Sequence, residues 1–399
     1  MKARLWMAVI TIAALFSAPF SFAADEKIGI FEAIHASSVS FDETTAAVET
    51  ALAVSGLVLH ATHDVRVPED KHRARVYVLT SPAYADAAKA EAARTISAQI
   101  LRLAVYTQGA DQKAYINMAN PVAHAMVFYA DSKNYDALLV AARSAADEMR
   151  QVVADIPGSA MAEQQEPLRS EKHYNKFKGD GPARMMAKFR TWDESQLVLL
   201  EDSADNFDKV VEQVIANIEN DDVADASEAV GWEVISNIRV RDDVVHIGLT
   251  NPFIEDRMIG INSRFRKEGK SDLSPYPGVD HVAALPTELL VVREGDETVV
   301  LHYGQMWRMQ LYFWDSGYRA FTANMGVPGE IARIGNRVTL GHGSIVHNAT
   351  IRDYVILGMG SIVSDWADVG VWAVVAEGAV VRQHAEPAPS RVRVVPPGT

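Results

Sequence analysis

The sequence predicts an α+β protein: two tandem antiparallel-sheet modules followed by a short parallel β-helix of hexapeptide repeats. Three observations point there. An aliphatic residue recurs at a nearly fixed six-residue step near the C-terminus. Residues 28–155 alternate short strand patterns with amphipathic helix patterns. Much of that alternation then returns beyond residue 204.

The elements follow in chain order. Lys2 and Arg4 precede an apolar stretch from Leu5 to Phe16, and Ser21-Phe22-Ala23 makes a small-x-small cleavage site. Residues 1–23 therefore read as a secretory signal peptide, which places the mature protein in the periplasm or outside the cell. The apolar run is too short for a comfortable membrane anchor, and no later segment has the length or apolarity of a transmembrane helix. At 399 residues the chain has room for two or three domains. It is 48% hydrophobic and 23% charged, ordinary for a globular protein. The formal charge of −14 disfavours nucleic acid and anionic membrane as partners. With no cysteine there is no disulfide, thiolate nucleophile or cysteine-ligated metal.

The first module is expected over residues 25–156. Ser40-Phe41-Asp42-Glu43 forms a capping box before an alanine-rich helix that ends near Gly56. Leu57 to Val67 and Arg73 to Thr80 read as strands. Ala85 to Leu101 is helical by composition, Leu103 to Tyr106 and Ala114 to Met118 form a hairpin, and Tyr135 to Val153 closes the unit as an amphipathic helix. The second module, residues 204–330, echoes it. Phe207-Asp208-Lys209 mirrors Phe41-Asp42-Glu43, and Leu249-Thr250-Asn251-Pro252 mirrors Leu79-Thr80-Ser81-Pro82. Residues 157–203 read as a linker whose first part is basic, with Lys172, Lys176, Lys178, Arg184, Lys188 and Arg190.

Both copies of this module resemble the domain-of-unknown-function 302 family; the second shows Leu285-Pro286 before a strand and hairpin but lacks the Asn-Pro ending of the first. The resemblance is carried by Ser40 to Thr44, by Gly56-Leu57-Val58, and by the stretch from Val105 to Asn120-Pro121. It implies a compact antiparallel sheet with helices on one face, usually self-associating, and lends no established reaction.

Residues 331–385 carry the repeat. Ile334, Leu340, Val346, Ile351, Leu357, Val363, Val369, Val375 and Val381 fall six apart, with one five-residue step after Val346. Neither a helix nor an ordinary strand has that period. A coil of short strands and turns does, each side sending one aliphatic side chain to the axis. Small residues at Ser344, Ser361, Ala367, Ala373 and Ala379 fill the position four further on. Trp366 and Trp372 occupy turn positions that face outward and are expected as interface anchors. Residues 386–399 read as a flexible tail.

The run from Ile334 to Ile351, with Gly341-His342-Gly343 and His347, followed by Gly358-Met359-Gly360, resembles the γ-class carbonic anhydrases and their hexapeptide-repeat relatives. That resemblance implies a left-handed parallel β-helix and a trimer in which three histidines hold a catalytic metal, usually zinc, between subunits. His342 and His347 match two of those ligands. His302, in Val299-Val300-Leu301-His302-Tyr303, is the candidate third ligand. Neutral imidazoles suit zinc, and a catalytic site keeps one position for water. The family's earlier coils are replaced here by the second module.

Three functions compete. The first is an exported binding and assembly protein of unknown ligand or partner, with the β-helix used for homo-oligomerisation and possible zinc as cofactor. The second is a zinc-dependent carbonic anhydrase-type lyase. The third is a hexapeptide acyltransferase, for which the coils are few and the usual acyl donor is missing outside the cell. The sequence holds no zinc-protease helix motif, phosphate loop, dinucleotide glycine motif or serine-nucleophile elbow.

Overall fold

The computed structural model describes residues 27–67, 72–109, 112–176, 196–219, 232–259, 277–303 and 305–313, and beyond them 339–340, 344–346, 349–352, 355–364, 367–370 and 373–382. Among the described residues the chain is a mixed α+β protein with two large antiparallel sheets and a small antiparallel β1-β8 pair, followed by short parallel strands.

The first module opens with β1 (Lys27–Ile28), β2 (Phe31–Ser37) and α1 (Phe41–Val54). The helix starts where the capping box places it. Ser40 Oγ accepts from the Glu43 N–H at 3.3 Å, and Glu43 Oε2 accepts from the Ser40 N–H at 3.0 Å. Phe41, Thr44, Thr45, Val48 and Leu52 form its buried face. Next come β3 (Val58–Val65), β4 (Ala74–Thr80) and α2 (Pro82–Ala88), then a 3-10 helix at Ala93–Gln99. The alanine-rich stretch is therefore not one helix over 85–101. Its second half is pulled into a tighter turn that buries Ile96 and Ala98, so packing overrides composition. β5 (Leu101–Gln108) and β6 (Lys113–Ala119) make the hairpin, followed by α3 (Pro121–Phe128) and α4 (Tyr135–Val153).

The segment expected as a linker contributes to both modules. It supplies β7 (Gly158–Gln164), which pairs antiparallel with β2, then β8 (Arg169–Ser170), α5 (Glu171–Asn175) and β9 (Gln196–Ser203). The first sheet has the order β3-β4-β5-β6-β2-β7.

The second module repeats this order. Its elements are α6 (Phe207–Glu219), β10 (Glu233–Arg241), β11 (Val244–Thr250), α7 (Pro252–Ile259), a 3-10 helix at Pro277–Ala284, β12 (Thr287–Glu294), β13 (Glu297–Tyr303) and α8 (Gln305–Tyr312). Its sheet runs β10-β11-β12-β13-β9. Even an irregularity recurs: the register shifts between Leu59 and Ala61 in β3, and between Val234 and Ser236 in β10.

One face of the second sheet is covered by α6, whose Phe207, Val210 and Val211 pack with Val245, Ile247, Leu289, Val291 and Val300. The modules then meet reciprocally. The 3-10 helix at Pro277–Ala284 packs on β4, β5 and β6, while that at Ala93–Gln99 packs on β11 and β12. A single apolar core runs through both modules. The arrangement is that of a two-fold dimer built within one chain.

At the C-terminus lie β14 (Thr339–Leu340), β15 (Ile345–Val346), β16 (Thr350–Ile351), β17 (Ile356–Leu357), β18 (Ile362–Val363), β19 (Asp368–Val369), β20 (Val374–Val375) and β21 (Val380–Val381). Each of β14 to β18 pairs in parallel with the third strand after it, giving the ladders β14-β17-β20, β15-β18-β21 and β16-β19. Thr339 pairs with Ile356 but Thr350 pairs with Asp368, so the earlier rung is one residue shorter, which reflects the five-residue step. Ile351, Leu357, Val363, Val369 and Val375 are buried together with Ala367, Ala373 and Ala379. Trp366, Trp372, residues 1–23 and the tail at 386–399 lie outside the described residues.

Candidate functional site

Successive side chains of a strand point to opposite faces. In β5, Leu101 and Leu103 pack on the helix side of the sheet. Arg102 between them turns toward the second module, where its Nη1 donates to Glu288 Oε1 at 2.9 Å. Glu288 is the second residue of β12 as Arg102 is the second of β5, so the pair joins equivalent positions of the two modules. Arg308 Nη1 donates to the other oxygen of Glu288, and its Nη2 donates to the Ala284 carbonyl at 2.9 Å.

The helices after the hairpins complete the cluster. His124 is the fourth residue of α3 and Arg308 the fourth of α8. His124 Nδ1 lies 2.8 Å from the Asn120 carbonyl oxygen, which can only accept. Nδ1 therefore carries the ring proton and Nε2 accepts. Tyr312, the last residue of α8, reaches His124 Nε2 with its hydroxyl at 2.8 Å and accepts from Arg102 Nη2 at 2.7 Å. Both guanidinium groups flank the Tyr312 ring, at 5.4 Å and 5.2 Å from its centroid. His246 of β11 is 1% exposed, and neither of its ring nitrogens bonds another of the described residues.

Burial dominates the electrostatics. It pushes His124 down to about 3, with the Arg102 charge adding to the effect. It pushes His246 down to about 3 as well, aided by Arg102 and Arg308. Arg308 falls to about 10, again through burial first, and remains a cation at neutral pH. Two buried cations thus face one carboxylate and two neutral imidazoles. Removing ions from water costs several kcal/mol each, so such a set persists only where geometry fixes it. Chemically, the cluster can hold negative charge and donate several hydrogen bonds from fixed positions.

Further contacts pin the modules around it. His63 Nε2 lies 2.5 Å from Glu255 Oε1, and Glu255 also accepts from the Arg66 N–H at 2.7 Å and from Thr250 Oγ1 at 2.8 Å. Arg94 donates twice to Glu294.

The histidines singled out for metal fall elsewhere. His302 lies buried in β13 of the second sheet, with Nδ1 2.8 Å from the Tyr303 carbonyl oxygen. His342 and His347 lie outside the described residues. Among the described residues, no three His, Asp or Glu side chains come together as a metal-binding group. The sequence reading passes over His124, Arg102, Glu288, Arg308 and His246. A signal existed: Arg102 and Glu288 each stand as a lone charge in an aliphatic strand run, and a strand buried on both faces must pair such a charge.

No known family profile matches the chain. A stretch of 51 residues is 41% identical to "Gamma carbonic anhydrase 1, mitochondrial" of Arabidopsis thaliana, covering 13% of this chain and 18% of that protein. The chain thus spans less than a fifth of the length of that curated relative. A crystal structure titled "uncharacterized conserved protein DUF302 from Bacillus stearothermophilus" aligns with 31% of this chain and 95% of that one, at 14% identity and a TM-score of 0.25.

Proposed function

We propose that this is an exported binding and assembly protein. The twin modules form the binding unit, and the C-terminal strands form a left-handed β-helix that joins chains into a trimer. One observation carries the assembly reading. Ile345, Ile362 and Val380 are in register along β15-β18-β21 and point away from the axis, with Ile345 46% and Val380 48% exposed. Ile356, 45% exposed, and the partly buried Val374 do the same along β14-β17-β20. The third ladder instead carries the Arg352–Asp368 ion pair. Two apolar sides and one polar side suit a ring in which each subunit offers a different face to each neighbour. Among the described residues no helix is long and apolar enough to cross a membrane.

Light scattering on the mature protein tests this. A trimer that falls apart on Ile345→Asp or Ile356→Asp is expected. A monomer at micromolar concentration would end the assembly reading.

A second reading is a zinc-dependent carbonic anhydrase-type lyase, favoured by the 41% identical stretch. His342 and His347 would supply two ligands and His302 the third, and bound zinc would act as a Lewis acid. Metal analysis after zinc loading decides it: one zinc per chain, lost in the double variant His342→Ala/His347→Ala, supports the reading. A metal-free protein without hydration activity rejects it.

A further inference from the structure

We infer that the cluster between the modules binds one small anion with oxygen acceptors, a carboxylate or an inorganic oxyanion. This deepens the binding half of the proposed function and rests on it. Three observations lead there.

The first is charge. Arg102 and Arg308 share the single carboxylate of Glu288, one guanidinium on each oxygen. The side chains of all three are under 5% exposed. The remaining members, His124, His246 and Tyr312, bring no negative charge at neutral pH. The set therefore carries one uncompensated positive charge in a buried interior, which a monoanion would neutralise.

The second is unused hydrogen-bonding capacity. Among the described residues, Nε of Arg102 and Nε of Arg308 are buried without a partner, and so are both ring nitrogens of His246 toward other residues. Buried polar atoms are rarely left unbonded in folded proteins. The excess here is of donors on cations, and planar guanidinium groups match carboxylate and oxyanion geometry.

The third is place. The cluster lies on the axis relating the modules, where the equivalent pairs Arg102/Glu288 and His124/Arg308 converge. A duplicated unit with identical residues there would pair like with like. These positions have diverged instead, leaving Arg102 bonded to Glu288 and an extra guanidinium from α8. β3 of the first sheet runs against β10 of the second beside the cluster. His60 on β3 is exposed and bonds Thr80 at 2.8 Å.

Calorimetric titration of the full mature chain with sodium acetate, and separately with sodium phosphate, tests the inference at fixed ionic strength. One saturable site per chain is expected for at least one probe. Arg308→Gln should weaken it at least tenfold, while Arg308→Lys, which keeps the charge but loses the fork, should weaken it less. Acetate alone identifies a carboxylate ligand, phosphate alone a tetrahedral oxyanion, and both a general oxyanion site. If Arg308→Gln does not fold, the wild-type protein still decides, because its buried arginine Nε–H resonances must shift during the titration. Absence of saturable binding of both probes, unmoved resonances, or unchanged affinity in folded Arg308→Gln overturns the inference. Subunit number measured in the same samples separates the outcomes. A trimer that binds neither anion rejects this site alone, and a monomer that binds one rejects only the assembly role.

Discussion

Arg102 and Glu288 hold the same position in two copies of one module and bond each other across the interface, Nη1 to Oε1 at 2.9 Å. Their pairing ties the two units together, because both side chains are buried and Glu288 is the carboxylate that faces Arg308 as well. Glu288→Gln would leave both Arg102 and Arg308 without a counter-ion. Removing one member of a buried ion pair costs about 3–5 kcal/mol. Denaturant unfolding of the variant should show a loss of that size; a loss near 1 kcal/mol would mean the cluster is solvated.

Much of the architecture was legible because it is local. The box at Ser40 and Glu43 names its own helix start, and the aliphatic step from Leu340 to Val381 dictates which strands can stack. The register even preserves the short step after Val346. The cluster was not legible for the opposite reason. Arg102 and Glu288 are 186 residues apart, and their pairing exists only once two modules dock. The duplication was visible through positions that stayed alike, such as Phe41 and Phe207. The site sits at positions that became different. The stretch 85–101 misled because helix propensity is read residue by residue, whereas Ile96 and Ala98 answer to a neighbouring module.

Acid should loosen the interface before it affects the rest of the protein. His124 and His246 are both held near 3, by burial first, against an ordinary 6.5. Their folded values are depressed, so the unfolded chain takes up protons first as pH falls below about 6.5. Stability contributed by the neutral rings is intact above that pH and declines below it. Each ring adds a slope of about 1.4 kcal/mol per pH unit in the window from 6.5 to 4. Unfolding free energies measured across that window should show it, and His246→Phe should remove one ring's share. An unchanged slope in the variant would refute the assignment.

The strand that extends the first sheet depends on one glycine. Gly158 begins β7 with φ of +151°, opposite Ser37 of β2. A Cβ there would run into the Ala36 carbonyl oxygen and the His35 ring. Backbone at positive φ is costly for any L side chain. Gly158→Ala should therefore lower stability by about 1–3 kcal/mol, a range set by strain at special backbone positions. Hydrogen exchange should speed up in β7 while β4 and β5 stay protected. Uniform loss of protection across the sheet would show that β7 is not a separable edge.

Neighbouring residues of the C-terminal repeat should fail in different ways. Leu357 is 1% exposed and packs with Val363 and Val375, whereas Ile356 beside it is 45% exposed. Their strand, β17, pairs with β14 on one side and β20 on the other. Leu357→Ala opens a hole in a narrow core that cannot collapse far, at about 2–5 kcal/mol. It should weaken amide protection throughout the repeat at any protein concentration. Ile356→Ala removes outward apolar surface, so its effect should vanish at high concentration, where mass action keeps chains together. Sedimentation at two concentrations, read beside hydrogen exchange, separates the two cases. Equal behaviour of the variants would mean that inward and outward positions do not alternate as described.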